Sequence, residues 1–238
     1  MSKPDLSWLT ARPIAHRGYH DGNKQRWENT LPAFQAAVDR NYAIECDVHL
    51  SADGIPVVFH DHDLKRLTGQ EGMIFRKTAA EMAALRIGGT QDHAPSLSDL
   101  LQLVGGKVPL VIELKGVEGM DAGLVAAVAE QLETYDGHAA IMSFDHWLIR
   151  QFADQAPGLP TGLTAYGREM ADMEAHFSML AHNIDFVSYG VEDLPNPFIS
   201  LVREKLGLPV ITWTVRNERA KAQTFAYADQ MTFEGFEA

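Results

Sequence analysis

The 238-residue chain contains one cysteine, Cys46. That excludes an intramolecular disulfide and any multi-cysteine zinc cluster. Basic residues are few: 20 Lys and Arg stand against 32 Asp and Glu, a formal charge of −12. Such a surface repels a phosphate backbone, which argues against non-specific nucleic-acid binding. No apolar run approaches the ~20 residues of a membrane span. The opening residues Met1-Ser2-Lys3-Pro4-Asp5 are polar and do not resemble a signal peptide. The expectation is a soluble cytoplasmic protein without stable membrane association. Low-complexity tracts, linkers and clear repeats are also missing.

What is present is a regular alternation. Short apolar runs fall at residues 13–16, 43–48, 108–114, 139–143, 160–164, 185–188, 209–215 and, more weakly, 230–233. Between them lie helix-like patterns at 31–41, 97–104, 147–155, 169–181, 198–206 and 218–228. Thr30 is predicted to cap the first of these, with Pro32 close behind. Asp121 is predicted to cap a further helix, with Leu124, Val128 and Leu132 on one stripe. Eight strands alternating with helices, in a chain close to ~250 residues, predict an α/β fold: a TIM (β/α)8 barrel forming one domain over 1–238. An open doubly wound sheet is the competitor, but no glycine-rich nucleotide loop follows the first strand. Residues 61–95 are too many for an ordinary βα loop and are expected to fold as a small insertion after the second strand.

The chemistry begins in Ile44-Glu45-Cys46-Asp47-Val48. Alternation along a strand puts Glu45 and Asp47 on one face and the apolar residues on the other. Two ionised carboxylates repel and lose solvation when buried, so they need a cation or basic partners. In Leu110-Val111-Ile112-Glu113-Leu114-Lys115, Glu113 and Lys115 share a face in the same way. Adjacent parallel strands then bring Glu45, Asp47 and Glu113 together at the C-terminal mouth of the barrel, where such folds keep their active sites. Three oxygen ligands suit a hard divalent cation, Mg2+ or Ca2+, better than zinc. A carboxylate–lysine–arginine salt-bridge network is the alternative.

His16 ends the first strand beside Arg17-Gly18, and His60 ends the run Pro56-Val57-Val58-Phe59 beside Asp61. A lone histidine at such a position is more often structural. Two, flanking a carboxylate cluster, supply two proton-transfer groups, while Arg17 and Lys115 supply two cations for a phosphoryl oxygen. No serine, cysteine or threonine stands clearly beside a base for covalent catalysis. Trp213 is predicted to share a strand face with Ile211 and Val215. It is either core or an apolar wall for a substrate.

His16-Arg17-Gly18, Glu28-Asn29-Thr30, Glu45-x-Asp47-Val48 and Ser51-x-Asp53-Gly54-x-Pro56-Val57-Val58-x-His60-Asp61 together resemble the glycerophosphodiester phosphodiesterase family. Leu64-x-Arg66-x-Thr68-Gly69, Pro95-Ser96-Leu97, Glu113-Leu114-Lys115, Ser143-Phe144 and Trp213-Thr214-Val215 follow in the same order. The resemblance spans nearly the whole chain. It implies a TIM barrel and metal-dependent hydrolysis of glycerophosphodiesters to glycerol 3-phosphate and an alcohol. His16 and His60 are the implied acid–base pair, and Glu45, Asp47 and Glu113 the implied ligands of one divalent cation. Arg17 and Lys115 are implied phosphate contacts, with Glu28 beside them. Two positions depart from the family pattern: Trp27 stands where a proline is common, and Thr232-Phe233-Glu234 replaces the usual threonine–aspartate. The second leaves the contribution of the last strand open.

Two other function classes fit the same inventory. One is a lipid-cleaving relative, a lysophospholipase D or phospholipase C-like enzyme, although no basic amphipathic stretch for a membrane surface is seen. The other is a non-catalytic barrel that binds a phosphorylated ligand, against which both histidines and all three carboxylates argue.

Overall fold

The computed structural model describes residues 4–238, so Met1, Ser2 and Lys3 of the polar opening lie outside the described residues. In chain order the strands are β1 (Ile14–Ala15), β2 (Ala43–Leu50), β3 (Pro56–Val58), β4 (Leu110–Leu114), β5 (Ala139–Ser143), β6 (Thr161–Ala165), β7 (Phe186–Gly190), β8 (Val210–Val215) and β9 (Gln230–Phe233). All but β3 run parallel, in the order β1-β9-β8-β7-β6-β5-β4-β2, and β1 pairs with β2 to close the ring. The fold is a TIM barrel. β3 lies antiparallel along the far end of β2, a pairing the apolar runs alone do not reveal because Pro56-Val57-Val58 also reads as loop edge.

Alternation divides each strand. Ile44, Cys46 and Val48 of β2, with Ile112 and Leu114 of β4, face outward and pack on Phe34, Leu97, Leu100 and Val128 from the helices. Inward residues of the strand starts, including Ile14, Ala43, Val111, Phe186 and Ile211, form a separate apolar layer with Leu6 and Leu9. This fills one end of the barrel and leaves the other for polar side chains.

Three local expectations are corrected. Thr30 occupies the N-cap of helix Leu31–Asp39 but makes no side-chain cap, because its hydroxyl donates instead to the Trp27 carbonyl at 2.7 Å. Helix Leu124–Leu132 is preceded by Gly123 at φ 92°, and Asp121 is instead engaged by Trp147 Nε1 at 2.7 Å. The pairing of β8 with β9 shifts register between Thr212 and Val215. Strict alternation fails there, and Val215 joins the outer core rather than the face of Trp213.

The insertion, 61–95, contains helices Lys65–Thr68 and Ala79–Ala84, the second closed by a Thr78/Glu81 capping box. It has its own small core, in which Leu64, Leu67, Ile74, Met82 and Ile87 pack on Val57 and Phe59. Among the described residues no helix is long and apolar enough to cross a membrane.

Candidate active site

β2 and β4 are paired with Asp47 opposite Glu113, and Glu45 lies two residues earlier on the same face. The three carboxylates are at most 6% exposed, and one oxygen from each lies within 4.8 Å of the others. Asp47 has partners on both oxygens: Lys115 Nζ at 3.1 Å from Oδ1, and Asn29 Nδ2 at 2.8 Å and Arg17 Nε at 3.3 Å from Oδ2. Burial opposes its charge, but Lys115 and Arg17 overcome that and hold it well below the usual carboxylate range. Lys115 also pairs with Glu113. Burial there outweighs the ammonium and raises Glu113 to about 7.

Glu45 has no such partner. Its Oε2 accepts the Arg17 backbone N–H at 2.9 Å, and its buried Oε1 has no hydrogen-bond partner among the described residues. Burial, then the charges of Asp47 and Glu113, push its pKa well above the ordinary value. The basic network weighed as an alternative therefore exists but falls one charge short: two cations face three carboxylates. A buried orphan oxygen beside two more carboxylate oxygens is the environment a hard divalent cation fits.

The loop after β1 shapes the other side. Arg17 takes a left-handed backbone conformation (φ 55°) and Gly18 follows at φ 78°. A Cβ on Gly18 would lie 2.9 Å from the Ala33 carbonyl carbon and from Phe34, so only glycine lets the chain turn this tightly over the helix. Arg17 Nη1 is anchored by Glu28 Oε1 at 2.7 Å. Glu28 is 4% exposed; burial opposes its charge, but hydrogen bonding from Arg66 and the charge of Arg17 hold it at about 2.

Each candidate histidine has a carboxylate behind it. His16 Nδ1 lies 2.5 Å from Glu234 Oε2, and His60 Nδ1 lies 2.6 Å from Asp61 Oδ1. An ionised carboxylate only accepts, so both Nδ1 atoms carry hydrogen and both Nε2 atoms are left for proton transfer. His16 Nε2 is 3.9 Å from Glu45 Oε2. Burial lowers the pKa of both imidazoles, only partly offset by the nearby carboxylates.

Seven of the residues singled out from the sequence, His16, Arg17, Glu45, Asp47, His60, Glu113 and Lys115, line one cavity of about 410 Å3. Trp213 lines it too, with Phe144 and Tyr166, whose rings stand at 89° to the indole with centroids 5.1 and 6.2 Å away. Glu28 is not part of the wall; it lies behind Arg17.

A model of the glycerophosphoryl diester phosphodiesterase family matches residues 16–236. The chain belongs to that family, a family of phosphoric diester hydrolases. A glycerophosphodiester phosphodiesterase of Caldanaerobacter subterraneus subsp. tengcongensis is 35% identical over 162 residues, 63% of this chain and 65% of that protein. The chain thus aligns with just under two thirds of that relative's length. YhdW of Bacillus subtilis is 29% identical over 227 residues, 88% of each chain. An Oleispira antarctica phosphodiesterase, solved in complex with the product sn-glycerol-3-phosphate, superposes with a TM-score of 0.81 and 25% identity, covering 95% of this chain and 94% of that one.

The two departures from the family pattern have structural counterparts. Trp27 lies on Gly88 of the insertion, where any Cβ would collide with the indole. Glu234, just past β9, is the carboxylate that holds His16 and is itself held by Arg216 Nε at 2.7 Å. His20 also points Nε2 at Glu234 Oε2 from 3.5 Å, while its Nδ1 accepts the Gly22 N–H at 3.1 Å. Sequence reasoning missed Glu234 as a functional residue, together with Asn29 and Arg66. Asn29 and Arg66 stand in motifs that carry the family resemblance, but their partners Asp47 and Glu28 lie 18 and 38 residues away, so spacing alone assigns neither a role.

Proposed function

We propose that this protein hydrolyses glycerophosphodiesters to glycerol 3-phosphate and an alcohol, and that it needs a divalent cation, Mg2+ or Ca2+. One observation carries the reading: Glu45, Asp47 and Glu113 converge, buried and short of positive charge, beside two histidines whose Nδ1 atoms are tied to carboxylates. Glu45, Asp47 and Glu113 would hold the cation, which polarises phosphoryl and hydroxyl oxygens when bound.

The remaining work falls to the chain's own side chains. Arg17 and Lys115 draw the phosphate into the cavity and meet the negative charge that grows on its oxygens during attack. A glycerol diester carries a hydroxyl next to its phosphate, so attack is intramolecular, worth several kcal/mol in effective-molarity terms, on the order of 7 or more at best. One histidine takes the 2-hydroxyl proton at Nε2 as the oxygen–phosphorus bond forms. The other protonates the departing head-group oxygen as its bond to phosphorus breaks. Water then opens the cyclic 1,2-phosphate with the two roles reversed.

A lysophospholipid-type substrate is favoured by one separate observation: Tyr166, 61% exposed, stands with Phe144 and Trp213 on the cavity wall, an aromatic approach suited to an acyl chain. A panel of glycerophosphodiesters and lysophospholipids, assayed with and without Mg2+ or Ca2+ for release of glycerol 3-phosphate or a lysophosphatidate, tests both. No turnover of any diester in the presence of cation sinks the enzymatic reading.

A further inference from the structure

The Arg66 guanidinium touches both the carboxylate behind His60 and the carboxylate behind Arg17. Its Nε donates to Asp61 Oδ2 at 2.7 Å and its Nη2 to Asp61 Oδ1 at 2.8 Å. The same group reaches Glu28, with Nη1 to Oε2 at 3.0 Å and Nη2 to Oε1 at 2.7 Å. Asp61 holds His60, and Glu28 holds Arg17. The path His60–Asp61–Arg66–Glu28–Arg17 is thus continuous, with every link a charge-assisted hydrogen bond.

The insertion builds this position. Helix Lys65–Thr68 is one turn, closed by Gly69 at φ 70°, whose N–H bonds the Lys65 carbonyl. Leu64 and Leu67 flank Arg66 and are fully buried in the insertion's own core. Pinned on the leucine side, the turn presents Arg66 to the opposite side, toward the barrel mouth.

We propose that Arg66 is a positioning residue that sets two catalytic groups at once: through Asp61 it fixes the tautomer and angle of His60, and through Glu28 it fixes the Arg17 guanidinium on the phosphate. The insertion then serves as a brace for the mouth of the barrel. A planar fork is required, because Arg66 makes four donor contacts to two carboxylates, whereas an ammonium has three donors on a single atom and cannot pair with both in a bidentate way. The inference rests on the roles proposed above for His60 and Arg17, and its test includes a measurement that needs no turnover.

The experiment compares Arg66→Ala and Arg66→Lys with the unaltered chain. Loss of the brace lowers kcat by about 10²-fold, the penalty typical of a small misplacement of reacting groups, with a smaller change in KM. Arg66→Lys keeps the charge and still loses most of the rate, while added guanidinium ion restores part of the activity of Arg66→Ala. In 15N NMR of the imidazoles, without substrate, the His60 proton leaves Nδ1 in a fraction of Arg66→Ala molecules. Near-native kcat in Arg66→Lys, or a His60 tautomer unchanged in Arg66→Ala, overturns the proposal. If the unaltered chain turns over no diester, the activity arm reports on the proposed reaction and the NMR arm alone decides the brace. If Arg66→Ala does not fold, the rate and His60 tautomer of Arg66→Lys decide.

Discussion

Glu234 Oε2 lies 2.5 Å from His16 Nδ1, joining a residue just past the last strand to one just past the first. β1 and β9 are neighbours in the barrel, with Ala15 paired to Phe233, so the next residues of the two strands meet across the seam. The glutamate stays ionised because hydrogen bonds from His16, His20 and Arg216 outweigh its burial and hold it far below the usual carboxylate range.

Glu234→Gln removes the charge that fixes the His16 tautomer while keeping the shape. The expected result is a loss in kcat on the order of 10²–10⁴, by analogy with triad aspartates that perform the same task. KM for a glycerophosphodiester should change little. Steady-state kinetics read both, and a kcat within a few-fold of native would mean that the bond only packs the seam.

Lys115→Met tests whether the lysine acts on phosphate or merely balances Glu113 and Asp47. A transition-state contact of this kind is worth roughly 10²–10³ in rate. Near-native kcat/KM in the variant would assign the lysine to charge balance.

The proposed cation dependence should show in stability as well as in rate. Glu113 is raised by burial from 4.5 to about 7, and Glu45 moves the same way. Glu113 binds more protons folded than unfolded between those values, so its stabilising contribution is complete below pH 4.5 and is lost as pH rises through about 7. Glu28 and Asp61, held at about 2, shift stability only in more acidic solution. Thermal melts should therefore show Tm of the cation-free protein falling relative to that of Glu113→Gln between about pH 5 and 8, since the opposing gain from the buried His16 and His60 is common to both. Mg2+ or Ca2+ should flatten that slope and release protons on binding. Chelator should abolish turnover, and Glu45→Gln should weaken cation binding. Full activity in excess chelator removes the metal from the account.

Gly18→Ala probes the turn that aims Arg17. A Cβ at φ 78° is strained and also meets the Ala33 backbone at 2.9 Å. The combined cost is about 3 kcal/mol, or a fall in Tm of about 6–12 °C. A variant as stable as the parent would show that the loop can move aside.

The fold was largely legible because alternation and apolar runs report burial directly. The weak run at 230–233 coincides with β9, and the pattern at 97–104 with helix Leu97–Val104. What could not be read depends on register and on distant partners. Pro56–Val58 pairs only because β2 extends to Leu50, and Val215 changes face because β8 slips against β9. In the site, Glu45, Asp47 and Glu113 were readable because strand geometry alone brings them together. Glu234 and Arg66 could not be assigned a role: one stands out as a departure from the family pattern and the other stands within a family-like motif, but only folding brings Glu234 onto His16 and Arg66 onto Glu28.

The seam between β1 and β9 also ties the beginning of the described chain to its end. His16 and Arg17 are in place early in the chain, but the carboxylate that sets His16 arrives only with the final strand. A barrel open at this seam would lack the contact that sets His16, whereas the pairing that brings Asp47 opposite Glu113 lies elsewhere in the ring. The acidic cluster thus depends on β2 meeting β4, and the setting of His16 on the circle being closed.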